Sequence, residues 1–334
     1  MPASTPAPAG WLVVGLGRHA DRLGLPALAR ARSSRAVAVC GSDPARAADV
    51  AARHAVPAWG TSLEPLLADP AVTHVYVCSA NDRHERDTAL AAAAGKHILC
   101  EKPLAPAVDA ARRMVATCAR HGVALGTGFH LRHNAAHQRA RRLIAGGDIG
   151  DPLWVRVDYA HTLTPGDSVE RLAASRSVAT PSRGALSGSG AHAVDLARWL
   201  LADEIAPVSA TLAEAGTDPQ RVVHVVATAA RGALVTLSAG RSRYPANGVT
   251  VVGTRGRLTV DGSLGAGGGG TLRVASDRRE ESAVVPPADV YSAQFDAFAG
   301  AGDIGASGAD GVAALEIVDA VERLLAGTVP EGVS

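Results

Sequence analysis

The chain has 334 residues, more than a single hydrophobic core usually holds, so we expect two domains. Its 33 Lys and Arg residues nearly balance its 32 Asp and Glu residues, which leaves no bulk charge to attract nucleic acid or an anionic membrane. No window is apolar over a membrane-spanning length, so the expected partners are a small-molecule substrate and other proteins, with no nucleic acid and no membrane.

The cysteines indicate a reducing compartment. Cys40, Cys78, Cys100 and Cys118 contain no CxxC pair, and three of them lie in apolar runs. They are interpreted as small core residues, so no disulfide and no metal site is predicted. Residues 1–10 are rich in Pro and Ala but lack the basic start and apolar run of a secretory signal, which predicts a disordered N-terminus and a cytoplasmic protein.

From residue 11 short apolar strands alternate with Ala-rich helical stretches, a pattern typical of a parallel sheet with helices on both faces. Residues 11–14 are the first predicted strand, and 15–20 form a GxGxxA turn into a helix. Gly15 permits a tight turn and Gly17 lets the backbone approach a pyrophosphate at the helix start. The motif alone is weak and often marks only a turn. Five residues of this turn are predicted to contact a dinucleotide: Gly15, Leu16, Gly17, Arg18 and His19.

The second predicted strand, residues 36–40, bears on the choice of cofactor. NAD-selective Rossmann domains end this strand with an acidic residue for the ribose 2′-hydroxyl, whereas NADP-selective ones need room and a cation for the 2′-phosphate. Gly41 stands where the acid would fall, Ser42 offers a hydroxyl, and Arg46 lies within the next helical turn. This favours NADP(H). The opposing interpretation, that Asp43 supplies the acid, keeps NAD(H) open.

A fourth strand is predicted at residues 72–78 and is followed by a polar loop. His84 is predicted to form hydrogen bonds at the start of a helix and not to act as a catalyst.

A buried strand at residues 97–100 stops at the charged pair Glu101-Lys102 and then at Pro103, which cannot continue a ladder. Parallel strands direct their carboxyl ends to one crevice, where α/β proteins bind ligands, so Lys102 is the first candidate for chemistry. The alternative is an ordinary solvated Glu-Lys pair. A helix at about 106–121 and a sixth strand at 123–130 should complete the sheet.

From residue 152 the chain changes to strands joined by turns, which predicts a mostly antiparallel, open sheet with a flat face available to another subunit. Residues 262–270, rich in glycine, are interpreted as a flexible hairpin tip or a disordered loop. A final helix is predicted at about 310–326. The predicted strands are 153–159, 208–213, 222–229, 233–239, 249–252 and 257–260.

Five segments of the chain, taken in order, resemble the glucose-fructose oxidoreductase and inositol dehydrogenase family (Gfo/Idh/MocA), and together they cover nearly all of the sequence. No single segment is specific, but the ordered set is. The segments are Gly15-Leu16-Gly17, Asn81-Asp82-Arg83-His84, residues 94–103 with Glu101-Lys102-Pro103, Gly190-Ala191-His192 with Asp195, and residues 251–258.

The resemblance implies an α/β protein. Residues 11–130 would form an N-terminal Rossmann domain with a doubly wound parallel sheet, and residues 131–334 a C-terminal α+β domain for substrate binding and oligomerisation. It implies an NAD(P)-dependent oxidoreductase that transfers a hydride between a nicotinamide cofactor and a hydroxyl or carbonyl of a sugar, polyol or related small molecule. A homodimer or homotetramer through the C-terminal sheet is expected.

The resemblance also implies that the loop after the fourth strand lines the ribose next to the nicotinamide, with Ser79, Asn81 and His84 in contact with the cofactor. It implies further that Lys102 handles a proton and that Glu101 and Lys102 lie at the cofactor. For a lysine to exchange protons near neutrality its pKa must fall, through burial or neighbouring positive charge, and an inward Glu101 would oppose that change. We therefore expect Glu101 to face structural backbone groups. Next to the sixth strand, His130 is a candidate substrate contact. Arg132 is expected to bind a substrate oxygen or, equally, to pair with an interdomain carboxylate.

His192 and Asp195 are three residues apart, so on a helix they share a face and the carboxylate can orient the imidazole. His192 is thus a candidate proton donor or acceptor and a candidate substrate contact. The alternative is a capped helix with a satisfied core histidine.

Gly188 departs from the family, whose enzymes usually carry an aspartate four residues before this histidine. Lys102 and His192 could suffice, since the cofactor supplies the hydride chemistry. Alternatively the substrate or another residue, such as His130 or Ser189, fills the gap, or the protein binds nucleotide but has lost or changed its reaction. A redox cycle on bound NAD that cleaves glycosides is a further alternative. The fold does not dictate which substrate is used.

Overall fold

The computed structural model describes residues 8–163, 185–214, 220–300 and 304–327, without the side chain of Ser187. The chain divides into two compact units, Met1–His133 with Asp289–Ala313 and Asn134–Ala288 with Ala314–Ser334. The predicted division after residue 130 falls three residues from this boundary. Segment 289–313, which the sequence predicts in the second domain, lies in the first unit. No helix in the described ranges is both long and apolar enough to cross a bilayer.

The first unit is built on a six-stranded parallel sheet in the order β3-β2-β1-β4-β5-β6. This is the strand order of the doubly wound dinucleotide-binding fold, so the predicted Rossmann domain is confirmed. The order reverses between β1 and β4, and ligands bind outside the strand ends at such a point. The strands are β1 Ala9–Val14, β2 Ser34–Cys40, β3 Ala58–Gly60, β4 His74–Val77, β5 His97–Cys100 and β6 Leu125–Thr127.

The second unit contains an eight-stranded sheet in the order β14-β13-β12-β11-β7-β10-β9-β8. All neighbours are antiparallel except β7 and β10, which confirms the predicted mostly antiparallel sheet. β13 and β14 are absent from the predicted strands. The strands are β7 Pro152–Thr162, β8 Ile205–Glu214, β9 Arg221–Ala229, β10 Leu234–Ser242, β11 Asn247–Gly253, β12 Gly256–Asp261, β13 Gly270–Ser276 and β14 Glu280–Val285.

Side-chain caps set the start of three helices, because a carboxylate or amide oxygen accepts an otherwise unpaired backbone N–H. Asp43, Asn134 and Asp289 play this part. The described helices are α1 Leu25–Arg30, α2 Pro44–Arg53, α3 Leu63–Leu67, α4 His84–Ala93, α5 Val108–Arg120, α6 Ala135–Ala145, α7 Ala191–Leu201, α8 Val290–Ala299 and α9 Gly308–Gly327. Short π-helical turns occur at Ala20–Gly24 and Leu186–Gly190, and 3₁₀ turns at Asn81–Arg83 and His130–His133.

Helix α8 belongs to the core of the first unit. Phe295 is fully buried and meets two aromatic side chains of the sheet edge-on, Trp11 at 5.0 Å and Tyr76 at 4.9 Å between ring centroids. Edge-to-face pairs at this distance add to the stabilisation that burial of the rings already gives. These contacts explain why segment 289–313 packs with a sheet far away in sequence.

The glycine-rich loop between β12 and β13 is held in place, contrary to the prediction of a flexible or disordered tip. The side-chain amide of Asn134 donates to the carbonyl oxygens of Ser263 at 3.0 Å and Gly269 at 2.8 Å. Ser263 and Leu264 are buried. Composition suggested mobility, but one buried amide from α6 satisfies the loop backbone and fixes it.

Candidate cofactor and catalytic site

A cleft of about 850 Å³ opens at the carboxyl ends of β1, β2 and β4. Gly15 closes its floor with φ +87°, and its N–H donates to the carbonyl oxygen of Cys40 at 2.9 Å. A Cβ atom at this position would lie 2.3 Å from the Cα of Ser79, so only glycine fits. The cleft therefore lies at the point where the strand order reverses, which is where this fold places its ligand.

Gly17 differs from Gly15 because the fold itself does not require it. It is exposed in the cleft, and a Cβ atom there would meet nothing within 4 Å. The backbone oxygen of Gly17 accepts from Asp21 at the start of the following helical segment. The turn thus leaves open space beside backbone N–H groups, a cradle suited to the pyrophosphate of a dinucleotide.

Arg46 extends across one end of the cleft. Its Nε donates to the carbonyl oxygen of Leu16 at 2.7 Å, and its Nη2 lies 3.6 Å from Oδ2 of Asp21. Asp43, the alternative acid for a ribose, caps α2, since its Oδ1 accepts the N–H of Arg46 at 3.0 Å, and it also lines the cleft. Ser42 is exposed beside both residues. The end of β2 therefore presents a hydroxyl and a fixed cation.

Gly41 stands at the position where NAD-selective domains carry an acid. A Cβ atom there would lie 2.9 Å from Cδ1 of Leu16, so an added side chain would require the end of the Leu16 side chain to shift. The sequence itself supplies no carboxylate at this position.

Some cleft residues were missed from the sequence. Thr61, Ser62 and Glu64 line it after β3, a strand of three residues that gave no clear signal in the sequence. Arg83 and Arg86 line it from the start of α4. Six of the predicted cofactor contacts line the cleft: Gly15, Leu16, Gly17, Ser42, Arg46 and Ser79.

Arg18 and Asn81, also predicted cofactor contacts, are exposed. Ser79 Oγ donates to the buried Asp87 carboxylate at 2.7 Å, which fixes the loop after β4.

His84 joins the loop after β4 to the segment that follows Lys102. It is buried, with Nδ1 at 3.1 Å from the carbonyl oxygen of Pro103 and 3.2 Å from that of Leu104, and Nε2 at 3.1 Å from that of Ser79. The hydrogen-bonding role at the start of α4 agrees with the sequence prediction. The lysine-bearing segment and the cofactor cleft are therefore tied together by one side chain.

Lys102 lies two residues beyond β5, at the same edge of the sheet as the cleft, and is half-buried. Glu101 before it is buried and accepts from the Tyr76 hydroxyl at 2.7 Å, with His19 Nε2 at 3.1 Å. Glu101 thus faces two side chains, and the prediction that it faces backbone groups is wrong in this respect. The backbone N–H of Lys102 also donates to Glu101, at 3.2 Å.

His130 and Arg132 occupy buried positions in the first unit. His130 stacks on Tyr291 with ring centroids 4.6 Å apart, and burial lowers its pKa to about 3, so the imidazole is neutral at pH 7. Arg132 pairs with Asp310 at 2.9 Å and donates to the carbonyl oxygen of Gly305 at 3.0 Å. Of the two expected roles of Arg132 the structure shows the ion pair, and the carboxylate belongs to its own unit.

In the second unit His192 and Asp195 lie in the first turns of α7 and are both buried. The ring of His192 lies 6.2 Å from that of Tyr159, a neighbour on β7 that the sequence did not reveal. Burial raises the pKa of Tyr159 to about 12, so its hydroxyl keeps its proton at neutral pH. Gly188 lies in the π-helical turn before α7, beside the buried Ser189, and supplies no carboxylate.

Comparison with known proteins agrees with this fold and cleft. Residues 9–129 match the oxidoreductase family with an NAD-binding Rossmann fold (GFO_IDH_MocA), and residues 137–259 match the GFO/IDH/MocA C-terminal domain. The chain belongs to the Gfo/Idh/MocA family. It is an NAD(P)-dependent oxidoreductase, and its named relatives include sugar reductases and dehydrogenases.

Three similar proteins illustrate the relationship. The 1,5-anhydro-D-fructose reductase of Ensifer adhaerens is 33% identical over 313 residues, which cover 90% of this chain and 92% of the relative. The D-xylose 1-dehydrogenase (NADP(+)) 2 of Haloferax volcanii is 27% identical, covering 84% and 85%. The crystal structure of aldose-aldose oxidoreductase from Caulobacter crescentus complexed with glycerol shares the fold, with a TM-score of 0.81, 24% identity and coverage of 96% and 98%.

Proposed function

We propose that this oxidoreductase uses NADP(H) to interconvert a hydroxyl and a carbonyl on a sugar or a related polyol, with Lys102 handling the proton. The placement of Lys102 at the carboxyl edge of β5, beside a cleft with a dinucleotide turn, carries this proposal. The bound nicotinamide supplies or accepts the hydride. The names of the sugar reductase and sugar dehydrogenase relatives support the substrate class.

Lys102 has two tasks in the direction of reduction. Its ammonium donates a hydrogen bond to the substrate carbonyl oxygen, which polarises the carbonyl bond as hydride arrives at carbon. The proton then passes from the ammonium to the new alkoxide oxygen, leaving a neutral amine and an alcohol. In oxidation the neutral amine takes the hydroxyl proton back. His192 is a second candidate proton donor.

The preference for NADP(H) rests on the end of β2. Position 41 carries no acid, Oδ1 of Asp43 is engaged as a helix cap, and Arg46 offers a cation beside Ser42. A 2′-phosphate gains from a guanidinium and a hydroxyl, whereas a ribose diol needs the acid that is missing. The name of the Haloferax volcanii relative, which specifies NADP(+), is consistent with this choice.

A Gly17→Ala substitution tests nucleotide binding at this turn. The new methyl group meets no protein atom within 4 Å, so we expect an unchanged melting temperature. It would occupy the space of the pyrophosphate, so NADPH affinity should fall by about tenfold or more in a fluorescence titration. Gly265→Ala, whose Cβ atom also meets nothing in the second unit, is the matched control. Equal NADPH affinity in both variants would contradict the proposed cleft.

Gly188 supports a second candidate function, a nucleotide-binding protein whose sugar chemistry is lost. Under our first proposal the natural chain oxidises NADPH with at least one sugar carbonyl, and Gly188→Asp does not create a new activity. Under the second, the natural chain binds NADPH without turnover and Gly188→Asp gains activity. NADPH absorbance with a panel of aldoses, ketoses and nucleotide sugars distinguishes them. A redox-cycling glycosidase would cleave glycosides without net NADPH consumption.

We also propose that the chain forms a homodimer or homotetramer through the face of its second sheet that carries Leu234. Strand register sets Trp154, Leu234 and Val252 side by side there, and Leu234 is 42% exposed. A row of large apolar side chains on an open sheet is typical of a subunit interface. Light scattering of the purified chain measures the oligomer directly.

All four cysteines are free thiols, which supports a cytoplasmic location.

A further inference from the structure

Two ionisable side chains that are far apart in sequence meet beside Lys102. His19 Nε2 lies 3.1 Å from Oε1 of Glu101 and 2.9 Å from the hydroxyl of Tyr76, which itself donates to the same carboxylate oxygen. Glu101 is 8% exposed, while His19 retains partial contact with solvent at the cofactor turn. The carboxylate of Glu101 is thus held by an imidazole and a phenol within one unit.

Neighbouring glycines make space for this arrangement. A Cβ atom at position 128 would lie 2.7 Å from Oε1 of Glu101, and one at position 24 would lie 2.7 Å from Cε1 of Tyr76. Gly128 follows β6 and Gly24 ends the π-helical turn that begins just after His19. Two separate segments therefore leave room for the carboxylate and the phenol ring.

Each group of the pair favours the charged form of the other. Burial alone would raise the pKa of Glu101, but the charge and hydrogen bond of His19, with the Tyr76 hydroxyl and the charge of Lys102, lower it to about 2. Burial also disfavours the imidazolium of His19, yet the Glu101 carboxylate raises its pKa on balance. Tyr76 stays protonated because burial raises its pKa. The result is an ion pair between a buried carboxylate and a partly exposed histidine, in which each charge stabilises the other.

Lys102 lies within the field of this pair. Its charge acts on His19, Glu101 and His130, and its backbone N–H contacts Oε2 of Glu101. His130 is neutral at pH 7, because burial lowers its pKa to about 3. Of these three described residues, Glu101 therefore supplies the negative charge near Lys102, and His19 is the one that can supply a positive charge. A carboxylate without a cationic partner raises the pKa of a neighbouring lysine. The lysine then gives its proton to the substrate more slowly.

We propose that His19 is a positioning residue for the reaction: its imidazolium pairs with Glu101 and cancels the negative field that this carboxylate would otherwise place on Lys102. The inference rests on the proposed role of Lys102 as proton donor. His19 lies two residues after Gly17, so the side chain that tunes the lysine is carried by the turn that receives the dinucleotide. The cofactor turn and the proton-handling lysine are thereby linked through one ion pair.

The chain offers an unusually direct test because it contains only two lysines, Lys96 and Lys102. Reductive methylation with ¹³C-formaldehyde labels both amines and the N-terminus, and NMR then follows each titration. The variant Lys96→Arg assigns the signals. His19→Gln retains a side-chain N–H for Glu101 but removes the charge. We expect the midpoint of Lys102 in His19→Gln to move upward by about one pH unit.

Two controls separate charge from structure. His54→Gln removes another imidazole, which lies 2.8 Å from the Asp21 carboxylate, and should leave the Lys102 midpoint unchanged. Adding Glu101→Gln to His19→Gln removes the carboxylate as well and should return the midpoint toward its original value. Tyr76→Phe removes a donor without altering charge, and should shift the midpoint less than His19→Gln. An unchanged midpoint in a folded His19→Gln protein, checked by near-ultraviolet circular dichroism, overturns the inference.

Kinetics distinguish this inference from the proposed function. Where a substrate turns over, the pH midpoint of kcat/KM for oxidation should rise in His19→Gln together with the NMR midpoint. If the NMR midpoint rises and the kinetic midpoint stays, the His19 field is established and the assignment of Lys102 as proton donor is overturned. If the kinetic midpoint moves without the NMR midpoint, the effect does not pass through Lys102 and the inference fails.

Discussion

Replacing Lys102 with methionine is expected to lower kcat/KM for carbonyl reduction by about 10²- to 10⁴-fold, the usual contribution of a positioned proton donor. Methionine keeps the apolar stem of the side chain and removes the ammonium. NADPH binding should remain, because the cleft at β1, β2 and β4 is built from other residues. The loss of NADPH absorbance measures turnover, and a fluorescence titration measures binding.

The second lysine supplies the control. Lys96 Nζ donates to the carbonyl oxygen of Val72 at 2.7 Å, before β4 and away from the carboxyl edge of the sheet. Lys96→Met should therefore reduce stability while leaving kcat/KM close to that of the natural chain. Full activity in Lys102→Met, or equal loss in both variants, would count against the proton-donor assignment.

Removal of the Arg46 cation is expected to change cofactor preference. In Arg46→Gln, kcat/KM with NADPH should fall by about 10- to 100-fold, the equivalent of one charged hydrogen bond, while the value with NADH stays nearly constant. The reason is that only NADPH carries the 2′-phosphate that the guanidinium would bind. Steady-state kinetics with both cofactors and one substrate give the ratio.

Arg53→Gln is the matched control for Arg46→Gln. Arg53 lies on the same helix, α2, and bonds to Asp21 at 2.7 Å, but it does not line the cleft. Its replacement should leave the cofactor ratio unchanged. An equal loss with NADPH and NADH in Arg46→Gln would show that Arg46 serves only to hold the carbonyl of Leu16, and the preference for NADP(H) would then be wrong.

The Rossmann unit was predictable because its central strands are buried on both faces and read as short apolar runs. Residues 97–100 coincide with β5, and the glycine turn follows β1 as expected. The weaker elements had no such signal. β3 has three residues, and β14 at the edge of its sheet alternates exposed and half-buried positions with two adjacent glutamates at its start. The pattern of apolar and polar residues does not distinguish such short or edge strands from loops.

Elements whose placement depends on tertiary contacts were also missed. Helix α8 joins the first unit through the rings of Phe295 and Trp11, which are far apart in sequence. The glycine-rich loop before β13 is fixed by Asn134 from another part of its unit. Local composition carries no information about such partners, because they are set by which elements pack together.

The sequence predicted the main residues of the site but not the side-chain contacts that join them. Lys102 and Gly15 were found because each follows a strand of a recognisable pattern. The partners of Glu101 were not, because Tyr76 reaches it only when β4 and β5 are neighbours and His19 only when the turn after β1 lies above them. The hydrogen bond by which Asp43 caps α2 was likewise not part of the sequence prediction.

A crystal structure with NADPH bound tests the central claim most directly. The account predicts the pyrophosphate on the turn at Gly17, the 2′-phosphate at Arg46, and the nicotinamide ring at the carboxyl edge of β4 and β5 with the Lys102 amine beside it. A dinucleotide held elsewhere, or a Lys102 side chain directed into bulk water away from the ring, would contradict it.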